Sequence, residues 1–245
     1  MTFVANTNLN TSALAGIYAT NPGQFKLLFP QMADGRTGAG TWRTTFVFAN
    51  RSTAAASATV FFYDDSGVPV NVAIGGQEQT QVQVNISALG IAQFQTVGEG
   101  TLKAGWAIAE ADQSLSGIAL FGFSDNSNNL VSEVGAPAIV PLRSMSVFVQ
   151  AGASTSTAIA LANPNSFTNA ADVTLILRDS SSNELARKSL AIPSKGHLAK
   201  YVTELFPDVR LGDFEGKMEI VASQPLVALA LRQREAVFTS LPVIP

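Results

Sequence analysis

The chain has 245 residues and no cysteine, with 13% charged residues and a formal net charge of −3. That length gives one large β domain or two of ordinary size. The missing thiols exclude disulfides, thiolate nucleophiles and Cys-ligated metals. The weak charge excludes the dense basic patch that nucleic acid or an anionic membrane needs, and no run of 18 apolar residues is present to span a bilayer.

Residues 1–24 carry no charge, residues 25–140 hold five basic and nine acidic side chains, and residues 141–245 hold ten and nine. The opening MTFVANTNLN has neither a basic n-region nor an apolar h-region. That predicts either a chain that is not exported or a mature chain whose signal has been removed. From Phe3 to Ala19, the odd positions are mostly small and apolar, among them Phe3, Ala5, Leu9, Ala13, Ala15 and Ile17, and the even ones mostly polar. This is a strand pattern with no partner inside its own segment.

Pro22-Gly23 marks a break, and FKLLFPQMADG opens a region that the chain repeats later. TWRTTFVFANRSTAAASATVFFYDDSG at 41–67 returns as TSTAIALANPNSFTNAADVTLILRDSS at 155–181. In each, an alternating stretch ends at an asparagine, Asn50 or Asn163, and a second stretch runs into an acidic turn. The spacing predicts a half-buried strand pair. Trp42 falls in register with Phe46 and Phe48 and is expected in the core. Val68 to Ile74 and Thr80 to Ile86 read as strands joined through Gly75-Gly76.

Thr101 to Ala111 and Ser116 to Phe123 read as two further strands, matched by Lys217 to Ala222 and Pro225 to Arg232. The later member of each pair is a near-continuous apolar run suited to a strand covered on both faces. Residues 198–207, LAKYVTELFP, predict one or two helical turns. GAPAI at 135–139 and SLPVI at 240–244 close the two repeats.

The predicted fold is all-β: two tandem antiparallel immunoglobulin-like β-sandwiches related by internal duplication, preceded by an extended tail. The expected boundaries are a tail at 1–21, a first sandwich at 22–140 and a second at 141–245. FPQMADG, TWRTTFVFAN and FYDDSG, with IALANP, LILRD, KGHLAKYVTELFP, FEGKMEI, LALRQR and TSLPVIP, resemble modules that recur, often in tandem, in large secreted or surface-associated bacterial proteins. The resemblance implies a non-catalytic immunoglobulin-like sandwich outside the cell, with no ligand or catalytic residue carried over.

Candidate chemistry is sparse. His197 is the only histidine, and in a turn with no second His or Cys it reads as solvent-exposed. Asp64 with Asp65, and Glu110 with Asp112, lie at turns, where aspartate serves local hydrogen bonding better than a pair of catalytic acids. Asp125, Asn126 and Asn128 form an oxygen-rich loop that could hold Ca²⁺ but lacks the bidentate Glu of a known calcium loop; no other cofactor or metal is expected.

The functional expectation is a structural or adhesive extracellular protein, a pilus-like filament subunit assembled head-to-tail with copies of itself. The tail residues Phe3, Ala5, Leu9, Ala13, Ala15 and Ile17 would complete a neighbour's sheet. The alternative is a polysaccharide-binding or spacer module.

Overall fold

The computed structural model describes residues 23–166 and 170–245, together with the backbone strands β1 (Thr2–Ala5) and β2 (Leu14–Ile17). These two pair antiparallel, Thr2 with Ile17 and Ala5 with Leu14. The alternation suggests a single strand without a partner inside its own segment, whereas β1 and β2 are partners of one another.

The first half contains β3 (Gln24–Thr37), β4 (Gly40–Asn50), β5 (Ala56–Tyr63), β6 (Val72–Ile74), β7 (Gln77–Gln79), β8 (Gln81–Ile86), β9 (Ile91–Gln95), β10 (Lys103–Asp125) and β11 (Leu130–Pro137). The second contains β12 (Leu142–Ala151), β13 (Thr155–Ala162), β14 (Ala171–Asp179), β15 (Glu184–Ile192) and β16 (His197–Tyr201). The single helical turn α1 (Val202–Leu205) follows, then β17 (Phe214–Arg234), β18 (Val237–Leu241) and β19 (Val243–Ile244).

One long strand organises each half. Residues 103–111 of β10 pair with β3 and β5, and residues 115–125 pair with β4 and β11. The register shifts between Glu110 and Leu115, so the strand turns a corner and passes from one sheet to the other. The sheets run β8-β5-β10-β3 and β11-β10-β4-β9. β17 does the same work in the second half, pairing with β12 and β14 and then with β13 and β18. Each predicted strand pair at 101–123 and 217–232 is thus one strand with a corner, because the residues between its two members bend the chain without reversing it.

A second correction concerns the repeated motif. β4 and β5 do not pair with each other; they lie in opposite sheets, each against a different part of β10. The link from Asn50 to Ala56 is an arch between sheets, and Asn50 holds it from inside. Its side chain is buried, donates to the carbonyls of Ala54 and Ser87 and accepts from Ser52 N. Asn163 does the equivalent with Ile192 O and Asn165 N. A buried backbone carbonyl needs a donor, and an arch has no ladder to provide one. Thr44 and Thr157 also recur for a structural reason. Thr44 Oγ1 accepts from Ala33 N and donates to Ala33 O, and Thr157 Oγ1 makes the same pair of bonds with Gln150.

Phe29, Phe46, Phe48 and Phe62 pack edge-on or tilted in the first core, alongside Leu27, Met32 and Val60. Val147, Leu161, Leu175, Met218 and Ile220 fill the second core, which α1 closes with Val202 and Leu205. The helix is a single turn, started by Glu204 Oε2 accepting from Tyr201 N at 2.7 Å. Gly75 and Gly76, at φ 61° and 81°, form the tight turn of a short hairpin between β6 and β7. Of the strand expected at 68–74 only β6 forms, while the strand expected at 80–86 is β8, which pairs with β5 and not with β6.

The acidic turns share one geometry. Asp64 Oδ1 accepts from Ser66 N and Val68 N, Asp125 Oδ1 from Ser127 N and Asn129 N, and Asp179 Oδ1 from Ser181 N and Asn183 N. The fourth residue of each turn is left-handed: Gly67 at φ 85°, Asn128 at 63° and Ser182 at 68°. Serine has no special tolerance for that region, whereas glycine and asparagine do. Ser182→Gly should raise stability by about 0.5 kcal/mol, read from the midpoint of urea unfolding.

Candidate functional site

The two halves do not hang end to end. The outward face of β13 and of the last part of β17, with Ala160, Ala162, Val227 and Leu229, packs on outward residues of the first half. Against it lie Leu28, Trp106 and Ile108 from one sheet and Phe121, Val134 and Ala136 from the other. Gly105 to Ala109 and Leu226 to Ala230 are consequently buried on both faces. Continuous apolar character was legible in the sequence at Pro225 to Arg232. It was equally present in Trp106-Ala-Ile-Ala, where it signals the same cover.

Polar contacts tie the seam. Trp106 Nε1 donates to Lys195 O at 2.6 Å, and Phe238 N donates to Ser132 Oγ at 2.9 Å. The acidic turn after β5 presses on the turn Pro193–Gly196, where a Cβ at Gly67 would come within 2.2 Å of Ser194 O. Glycine is required there for contact as well as for φ. Trp106 is thus fully buried, at the junction between the halves.

His197 departs most from expectation. Its side chain is 0% exposed, not a solvated turn residue. Nδ1 lies 2.7 Å from Asp65 Oδ1 and Nε2 lies 3.0 Å from Gln31 Oε1, while His197 N donates to Asp65 O at 3.1 Å. Gln31 reaches it from an irregularity in β3, where Met32 faces Gly105 but Phe29 faces Ala107, leaving Pro30 and Gln31 bulged. No local pattern around His197 marks this site, since its partners are more than 130 residues away.

Beside this cluster an open cleft of about 280 Å³ lies between the halves. Trp42, Phe121 and Phe238 line it with Ala160 and Leu231, and Gln31, Tyr201 and Glu204 supply polar groups. Trp42 is a correction: it packs at 5.0 Å from Phe123 and 5.8 Å from Phe238, in the cleft and outside the core of Phe46 and Phe48. The alternation holds along β4, but the strand runs past the end of its own sandwich. Tyr201 bonds Gln233 through its hydroxyl, and burial, helped by the charge of Glu204, pushes its proton loss to higher pH than usual.

The remaining candidates are occupied locally. Glu110 pairs with Lys26 at 3.5 Å, and Asp112 Oδ1 accepts from Ser57 N. Asp125 spends Oδ1 on its turn and Oδ2 on Asn129 Nδ2. Asn126 Nδ2 donates to Gly38 O, and Asn128 Oδ1 accepts from Arg43 Nη1. Among the described residues no group of three or more His, Asp or Glu is placed to hold a metal ion. Of the tail residues, Phe3 and Ala5 lie in β1 and Ala15 and Ile17 in β2; Leu9 and Ala13 fall outside the described residues.

Hydrogen bonds set the charge state of the turn acids. For Asp125 and Asp179 the side-chain amides of Asn129 and Asn183 come first, followed by turn N–H groups, and both carboxyls lose their protons below the usual range. Partial burial opposes ionisation of Asp64, but bonds from Ser66, Val68 and Gly67 outweigh it. A lowered native value means the carboxylate stabilises the fold above the unfolded value of about 3.9, and that contribution disappears as pH falls through the native value. Acid titration followed by circular dichroism should show stability falling below about pH 4, with a shallower fall in the Asp125→Asn, Asp179→Asn double variant.

These features define a class: an all-β protein of antiparallel sandwich character with an open cleft between its two halves. No family model matches the chain, and no curated protein matches it. Among solved structures, the chain resembles SGBP-B of the mixed-linkage glucan utilization locus of Bacteroides ovatus, in complex with a heptasaccharide. The two share 13% identity over 80% of this chain and 50% of that one, at a TM-score of 0.18. An anti-sigma factor domain-containing protein from Clostridium clariflavum aligns at 9% identity over 99% and 95% of the two chains, TM-score 0.22. A glycosyl hydrolase family 2 member from Bacteroides cellulosilyticus aligns at 11% identity over 98% of this chain and 32% of that one, TM-score 0.18. The chain spans half or less of the glucan-locus and hydrolase proteins, and overlaps this loose carry no functional argument.

Proposed function

We propose that the chain is a non-catalytic extracellular module, a rigid spacer built from two immunoglobulin-like sandwiches of common origin by internal duplication. The observation that carries this reading is the apolar face of β13 and β17 buried against both sheets of the first half. A flexible tether would leave that face wet, so a spacer of this construction transmits orientation as well as distance. The matching strand pairings of the two halves support the common origin. The motif resemblance supports the extracellular, non-catalytic reading.

Single-molecule pulling between residues 23 and 245 tests it. The spacer reading expects the halves to release together in one event; two independent events of similar length would overturn it.

Carbohydrate binding is a second reading, favoured by Trp42 and Tyr201 in an open cleft with Gln31 and Glu204. Glycan-array binding that vanishes in Trp42→Ala would support it. Assembly into filaments would require β2, which lies beside β11 and β18 of its own chain, to take that place on a neighbour. Sedimentation of the full chain and of a 2–21 deletion separates these arrangements: polymers lost on deletion mean donation to a neighbour, and monomers in both mean that the tail serves its own chain.

A further inference from the structure

We propose that His197 is a cationic latch between the halves, and that raising the pH through its titration loosens the seam and the wall of the cleft. Gln31 Nε2 donates to Met32 O at 2.9 Å, which fixes the amide so that its oxygen faces His197 Nε2. Asp65 presents a carboxylate oxygen to Nδ1, and its side chain is 69% exposed to water. Two acceptors therefore face the two ring nitrogens, and both nitrogens must donate. Only the imidazolium form does that; the neutral ring has one N–H and one lone pair.

The latch spans the molecule. Asp65 sits in the turn after β5, Gln31 in the bulge of β3, and His197 at the start of β16, next to the turn that Gly67 and Trp106 contact. Lys195, in the turn just before His197, has its Nζ 5.4 Å over the Tyr63 ring and donates to Pro164 O at 3.4 Å. Burial, with Lys26 adding repulsion and Glu110 opposing it, makes Lys195 give up its proton more readily than an ordinary lysine.

The sign follows from the bonds. With the ring charged, Asp65 and Gln31 are both satisfied. When it loses its proton, one of the two acceptors is left facing a lone pair in a buried site, and the junction weakens. Because Gln31 also lines the cleft, the same event frees part of the cleft wall.

His197 is the only histidine in the chain, so ¹⁵N-histidine labelling of the full chain yields one imidazole. At pH 5.5 two slowly exchanging ring N–H protons are expected, one at each nitrogen. As the pH is raised, loss of one of them should coincide with a roughly tenfold fall in the exchange protection of the Trp106 indole N–H, the size expected for one bond to a charged group. Asp65→Asn, on an exposed turn, should abolish that coincidence while leaving the fold intact. His197→Gln should give protection that does not vary with pH. A single ring N–H at pH 5.5 would overturn the proposal, as would Trp106 protection that stays constant in the parent chain while the ring titrates.

Discussion

Trp106→Ala should destabilise the protein by about 3–5 kcal/mol, the range for truncating a large aromatic in a packed interior. The residue is fully buried among Leu28, Ile108, Ala162 and Val227, and its indole donates to Lys195 O in the other half. Truncation leaves a cavity on the seam and a backbone carbonyl without its donor. Because neither sandwich core is touched, the loss should be selective. Chemical unfolding that is one transition in the parent should separate into two in the variant, followed by Trp42 fluorescence and far-UV circular dichroism. A loss below about 1 kcal/mol would mean that the halves contribute little to one another.

Ala162→Asp should be more disruptive than its size suggests. On alternation alone Ala162 faces away from the core that Leu161 occupies, a position where aspartate would be tolerated. In the folded chain it is 0% exposed and packs beside Val227 and Trp106. A carboxylate there has no cation among the residues that pack against it, and an unpaired buried charge costs at least about 3 kcal/mol. The halves should part before either unfolds, so small-angle scattering should show a larger radius of gyration with near-native circular dichroism. An unchanged radius and midpoint would rule out the side-by-side packing.

Much of the fold was readable from residue order. Period-two alternation located most strands, and Asn50 and Asn163 marked where two of them end. Asp64, Asp125 and Asp179 marked turns, and the hydrogen bonds of these three carboxylates are entirely local. Pairing was a different matter. β4 and β5 are neighbours in sequence and look like a hairpin, yet they meet opposite parts of β10. Alternation says that one face of a strand is buried, but not which strand lies alongside.

The candidate site was less legible. In the sequence the histidine and the acidic turn read as two unrelated turns, because 132 positions divide His197 from Asp65. Trp42 followed the rhythm of the core residues while standing beyond the core's edge. Both misreadings have one origin. The outer faces of β10, β13 and β17 are apolar because another sandwich covers them, and that cover is chosen by shape and apolar area summed over distant segments. Local order is enough to place strand segments by alternation and to form the acidic turns, whose carboxylates bind backbone N–H groups two and four residues on; strand pairing, the arches, the seam, the latch and the cleft need partners from distant parts of the chain.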